Sequence, residues 1–325
     1  MMIRRRIRAT LYHLNPDNKI PVRPRINSPV AHPVLEMYSS AVIEETVVRL
    51  LREAECRLPP DVVRSLEEGA ENEQDEVARS QLQTILSNVR MASERMVPMC
   101  QDTGLPVFFV RGRYDGRIER AIRRGVSRAT ETIPLRPNTV DPLSRHNSGD
   151  NMGAGMPPVH FEPAALDFLE LAVLPKGAGS ENWSALRMLY PADGVDGIRR
   201  FVIECVTRAG SRPCPPTVIG VGIGGTADLA CALAKKALLR PLRSSNPDPG
   251  LSQLEVALHE QLNTLGLGPM GLGGRTTVLG VLIEKAHCHT ASLPVAVSLN
   301  CWAARKALAR IFRDGRVQFS QGGFD

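Results

Sequence analysis

Cys100, Cys214 and Cys301 each stand where an apolar run meets a loop, in "PMCQDTG", "RPCPPT" and "LNCWA". Pro213, Pro215 and Pro216 fix the backbone around Cys214 and keep it out of any helix interior. A thiol in such a place can be a buried small hydrophobe, a nucleophile or a metal ligand. Three thiolates presented from rigid loops suit an iron–sulfur cluster, in which one iron is left without a protein ligand. An iron with an open position acts as a Lewis acid on a substrate oxygen. The other internal cysteines read differently. Cys56, Cys205 and Cys231 fall within helical patterns and read as small hydrophobes of the core. Seven cysteines, an odd count with no secretory signal, point to a reducing cytoplasm.

Two further motifs invite chemistry. "GVGIGG" at 220–225 fits G-x-G-x-x-G after an apolar run, the arrangement that lets a pyrophosphate approach a helix N-terminus. The acidic residue expected about 20 positions later is missing: 240–247 reads "RPLRSSNP", and Asp248 sits between prolines. A tight strand-to-helix turn, with backbone close to something, explains these glycines better. "AHCHT" at 286–290 sets two histidines around Cys288, but no second ligand pair stands at zinc-finger spacing. A histidine here is either an active-site residue or an ordinary loop residue.

The elements that must position these residues fall into two textures. Residues 34–58, 61–68 and 74–95 place apolar side chains at helical spacing, for example Leu82, Ile85, Leu86 and Val89, with the polar "AENEQD" as a break. From residue 98, β-branched runs ("VFFV", "LELAVL", "TVIGVGI", "TVLGVLI", "PVAVSL") alternate with helical segments near 117–131, 194–209, 226–239 and 251–264. The expected fold class is α/β, with an N-terminal helical lobe (34–97) packed on a mixed α/β lobe (98–325) as one body.

Bulk composition narrows the function classes. At 43% hydrophobic and 23% charged residues the chain is globular, and no apolar run is long enough to span a membrane. Aromatic content of 4% argues against base-stacking nucleic-acid surfaces. The net charge of +6 is local. Residues 1–33 hold seven basic side chains against one acid, Asp17, so the remaining body is neutral. That stretch reads as a flexible basic extension. An organelle transit peptide would be richer in serine, and Ser28 stands alone. Nucleic-acid binding by the stretch is a further, less favoured reading.

"CQDTG" (100–104), "KGAGSEN" (176–182), "CPPTVIGVGIGGTAD" (214–228), "LGLGPMGLGGRTT" (265–277) and "HTASLPVAVSLNCW" (289–302) together resemble the N-terminal, cluster-binding part of class I (iron–sulfur) fumarate hydratases. The related L-tartrate dehydratase α subunits share the outline, and the resemblance covers roughly residues 35–310. It implies a 4Fe–4S cluster held by Cys100, Cys214 and Cys301. It implies substrate contacts at Gln101, Asp102, Arg136, Gly179 and His289, with Asp102 and His289 as catalytic groups. An arginine such as Arg136 suits a substrate carboxylate, since its fork pairs two oxygens.

Two departures stand out. Ala178 interrupts the family's run of three glycines, which puts close backbone approach in doubt there. Nothing up to Asp325 matches the C-terminal domain of single-chain enzymes. The resemblance therefore implies an α subunit whose pocket is closed by a separate β subunit, in an α2β2 assembly in the cytoplasm, acting on a small dicarboxylate. The implied reaction is reversible hydration of fumarate to (S)-malate. "GLGGRTT" and "HTASLPVAV" look like the fumarase version, and conversion of tartrate to oxaloacetate is the alternative.

Overall fold

Ile43, Val47, Leu50, Leu51 and Ala54 recur at helical spacing and are buried on one stripe, which makes Ser40–Cys56 an amphipathic helix, α1. In the computed structural model, which describes residues 38–323, α2 (Pro60–Asn72) and α3 (Glu76–Arg95) follow. The basic stretch 1–33 and the expected start of the first helix at 34 lie outside the described residues. Inside the polar break, Asp75 caps α3 by accepting from the Ala78 amide at 2.9 Å. Met96, in the left-handed region, ends that helix.

Among the described residues, nine strands form two mixed sheets. The first runs β2 (Val159–Pro163), β1 (Leu105–Gly112), β3 (Phe168–Lys176), β8 (Ala307–Phe312) and β9 (Val317–Ser320). Only its β1–β2 pair is parallel. Helix α4 (Gly116–Thr132) lies beside α1, and both pack on this sheet through Val47, Ile122 and Val126 against Phe108, Leu169 and Leu171. Each such side chain contributes about 1.5–3 kcal/mol on burial. The second sheet runs β4 (Ala185–Leu189), β7 (Leu293–Asn300), β5 (Thr217–Ile223) and β6 (Val278–Lys285). The one-turn helix α5 (Ala178–Glu181) follows β3, and helices α6 (Gly194–Ala209) and α8 (Pro249–Asn263) share a core with the second sheet through Phe201, Val202, Leu258 and Leu262.

Helix α7 (Ala227–Ala237) also packs on the second sheet, and there the glycine motif finds its purpose. A Cβ on Gly222 would stand 2.0 Å from the Ala230 carbonyl oxygen, so the glycines admit the helix backbone itself. Asp248, the displaced acid of the motif, caps α8 through the Gly250 and Leu251 amides. Both features are accounted for by packing and capping.

One expectation for this region is corrected. Cys56 and Cys205 are buried, but Cys231 is exposed, because α7 buries Ala230, Ala234 and Ala237 and turns the next position outward. A third core cluster joins the helical lobe to both sheets, with Leu66, Leu82 and Val89 meeting Met99, Val107, Leu174, Val218, Ala303 and Ala304. Cys301 and Trp302 pack against it, and Met99 within it directly precedes Cys100. Among the described residues, no helix is long and apolar enough to cross a membrane.

Candidate active site at the junction of the two sheets

Strand pairing brings the cysteine loops together. Val218 on β5 pairs with Asn300 on β7, so Cys214, just before β5, and Cys301, just after β7, leave the second sheet at the same end. The Trp302 amide then donates to the Cys214 carbonyl at 3.1 Å. Residues 301–306 cross from β7 to β8, which pairs with β3 through Val173 and Ala307. At that same end of the first sheet, Leu105 pairs with Lys176. The turn after Cys100 and the loop after Lys176 are therefore neighbours.

Cys214 and Cys301 both feel the Cys100 thiol. Burial, and then the neighbouring Cys100 thiol, raise Cys214 above the ordinary thiol pKa. Burial also raises Cys301; Arg305 and the Ala303 amide environment offset part of this, while Cys100 adds to it. Cys214 holds a left-handed backbone, φ 54°, rare for a residue with a side chain and costing about 1–2 kcal/mol. Its amide donates to Ser211 O at 3.0 Å, and the Trp302 bond fixes its carbonyl.

Asp102 is the best-anchored polar group in the junction. Its Oδ1 accepts from the Gly104 amide at 2.9 Å and from Asn138 Nδ2 at 3.2 Å. Its Oδ2 accepts from the Ala178 amide at 2.8 Å. Three of the roughly four lone-pair sites of a carboxylate are thus committed. Gly104, at φ 73°, has to be glycine, since a Cβ there would stand 2.7 Å from the Lys176 backbone. Ala178 does not spoil the loop. Gly177 makes the close approach, since a Cβ there would stand 3.2 Å from Asp102 Oδ2, whereas a Cβ on Gly179 would meet nothing nearer than Arg212 O at 3.6 Å.

Arg136 and Gln101 are exposed beside this anchor. The Arg136 amide donates to Thr103 Oγ1 at 3.1 Å, and its carbonyl accepts from the buried Asn151 side chain at 3.1 Å. Its backbone is fixed while its guanidinium is left for solvent or a ligand. His289 is placed elsewhere. It precedes β7, whose eight residues separate it from Cys301. At about 3.3 Å per residue that is roughly 26 Å. Within one chain, the expected catalytic histidine is not brought to the cysteine site. Its Nδ1 accepts from the Ala291 amide at 3.1 Å instead.

Sequence reasoning passed over four polar residues here, three of them buried and one half-buried. Lys176 is 3% exposed, and its ammonium donates to Ser180 Oγ at 2.9 Å and to the Leu299 carbonyl, with Glu181 Oε2 at 3.3 Å. Burial lowers its pKa, and Glu181 offsets part of that. Arg305 and Glu55, both almost fully buried, pair at 2.5 Å. Burial pushes Glu55 up to about 7 despite its arginine partner. Asn138 is the fourth. Charged residues are assigned to the surface by default, and only the position of Lys176 in "KGAGSEN" and of Arg305 near Cys301 hinted otherwise.

Three partly exposed thiols and two buried cations make up the donor set of this junction. Among the described residues, no three His, Cys, Asp or Glu side chains are gathered tightly enough to wrap one metal ion. In the 286–290 motif, His287, Cys288 and His289 are all exposed. Three thiols around a cluster stand wider, because each sulfur binds a different iron. Two buried cations, Lys176 and Arg305, lie within electrostatic reach of Cys301 and would offset thiolate charge.

Comparison with known proteins agrees in family. The family model described as fumarate hydratase (fumerase) matches residues 44–310. A putative L(+)-tartrate dehydratase subunit alpha of Methanocaldococcus jannaschii is 48% identical over 283 residues, covering 85% of this chain and 99% of that protein. A putative class I fumarate hydratase of Geobacillus stearothermophilus is 38% identical over 275 residues, covering 81% of this chain and 53% of that protein. The L(+)-tartrate dehydratase subunit alpha of Escherichia coli (strain K12) is 35% identical over 277 residues, covering 84% of this chain and 91% of that protein. With its fold, its loops and these relatives in agreement, the chain belongs to the fumarate hydratase family of hydro-lyases.

Proposed function

We propose that this chain is the α subunit of a 4Fe–4S-dependent hydro-lyase that adds water to, or removes it from, a small dicarboxylate. Cys100, Cys214 and Cys301 would hold the cluster, which when bound would supply a Lewis-acidic iron with an open position. The observation that carries this reading is the convergence of the three loops, supported by the Trp302–Cys214 hydrogen bond and by the influence of Cys100 on both other thiols.

In the leading reading, fumarate gains a hydroxyl on one alkene carbon and a proton on the other, giving (S)-malate. Arg136 pairs with a substrate carboxylate, and Gln101 and the Gly179 backbone line the same mouth. Asp102 holds a fixed negative charge beside the reacting carbons, and its remaining lone pair can accept or return a proton. A role for His289 at this site needs a second chain to bring it there.

L(+)-tartrate is the second reading, favoured by the relatives named for that activity that align along nearly their whole length. The word "subunit" in those names supports a separate β chain here, with α2β2 as the assembly proposed. The test is anaerobic reconstitution of the chain with iron, sulfide and its partner, followed by assay with fumarate and L-tartrate on one preparation. Water addition to fumarate supports the first reading, and oxaloacetate from tartrate alone supports the second. Failure on both substrates in an iron-loaded complex would overturn the reaction class.

A further inference from the structure

Arg305 is 2% exposed and has one nitrogen without any hydrogen-bond partner. Its Nη1 donates to Glu55 Oε2 at 2.5 Å and its Nη2 to the Asp102 carbonyl at 3.0 Å. Its Nε is buried with no hydrogen-bond partner among the described residues. A buried donor without an acceptor is rare in folded proteins and calls for a specific explanation. Lys176, the other buried cation beside Cys301, has none to spare: its three donors go to Ser180, Leu299 and Glu181.

Two acidic residues and two thiols act on the Arg305 guanidinium. Burial works against the Arg305 charge, but Glu55, Cys301, Cys100 and Asp102 outweigh it and hold the pKa above its ordinary value. Arg305 follows Cys301 by four residues in a tight turn, its amide bonded to the Ala303 carbonyl at 2.8 Å. Glu55 also fixes the other cysteine loop, since its carbonyl accepts from the Met99 amide at 3.0 Å, one residue before Cys100. One guanidinium thus ties α1, the Cys100 turn and the Cys301 loop together.

We propose that Arg305 is the positioning residue of the cluster site, anchored through Nη1 and Nη2 so that its Nε–H donates to a sulfur of the bound cluster or of its cysteine ligands. The inference rests on the iron–sulfur reading above. Lysine cannot replace it, because an ammonium lacks the rigid fork that serves three acceptors in fixed directions.

The test uses the full chain loaded anaerobically with ferrous iron and sulfide, in three forms: wild type, Arg305→Lys, and the double variant Glu55→Met/Arg305→Met. The double variant removes both charges together and so avoids stranding a buried carboxylate. Circular dichroism of the unloaded proteins reports the fold. Iron release to a chelator and the midpoint potential of the loaded proteins report the cluster. We expect both variants to fold, to release iron at least tenfold faster than wild type, and to show a more negative midpoint. A folded variant with wild-type release and midpoint would overturn the role of Arg305 alone. A wild type that takes up no iron would overturn both this role and the reading beneath it.

Discussion

The Ala178 amide donates to Asp102 Oδ2 at 2.8 Å, joining the turn after Cys100 to the loop that ends β3. With the Gly104 amide and Asn138 it fixes the carboxylate from three sides. Asp102→Asn keeps the shape but faces one amide donor with another, and it removes the charge. We expect activity to fall about 100- to 10,000-fold, with iron content unchanged. Steady-state kinetics beside iron analysis checks this, and loss of iron in step with activity would count against a role beyond ligand-loop support.

Gly104 and Gly179 separate folding from function. Gly104→Ala places a Cβ against the Lys176 backbone in a left-handed conformation and should cost roughly 2–4 kcal/mol. Gly179→Ala meets only an ordinary contact and should change stability by no more than about 0.5 kcal/mol. Chemical denaturation of the two unloaded variants measures the difference.

Arg136 is held by its backbone and exposed at its tip. Arg136→Met should lower kcat/KM for the dicarboxylate about 10- to 100-fold, mainly through KM, as expected for loss of a charge-assisted hydrogen bond. The melting temperature should hardly move. A pure kcat effect would place the arginine at the reacting carbons instead.

Lys306 is 3% exposed and donates to the Leu238 and Arg240 carbonyls, and burial lowers it to about 8. A lysine whose folded pKa is depressed loses its proton earlier in the folded state, so folding is favoured as pH rises from about 8 to the unfolded value near 10.5. Over that window the wild type should gain up to about 3 kcal/mol relative to Lys306→Met. Denaturation of both proteins across the pH range reads the gain directly. A difference independent of pH would show that Lys306 is charged throughout.

The sequence reads most clearly where burial is continuous. β5, β6 and β7 are sheltered on both faces, so their β-branched runs stand out. β4 and β8 do not: "ALRML" is half exposed, and "ALARIF" is built from strong helix formers that only sheet pairing turns into a strand. β2 lies at a sheet edge and ends on Pro163. Cys100, Cys214 and Cys301 stand out as candidates because loops with proline and glycine frame them. The pairing of Glu55 with Arg305 does not, since 250 residues separate them and nothing local marks either as buried. His289 stands apart from Cys301 within one chain because the motif that contains both also contains the whole length of β7.

The central claim is that three sulfurs from distant loops share one cluster. It is tested most directly by iron and sulfide content after anaerobic reconstitution of wild type, Cys100→Ala, Cys214→Ala, Cys301→Ala and the exposed control Cys231→Ala. Wild type and Cys231→Ala should bind equal amounts of iron and sulfide, while each of the other three should lose most of both. Full retention of iron and sulfide by folded Cys214→Ala would contradict the claim.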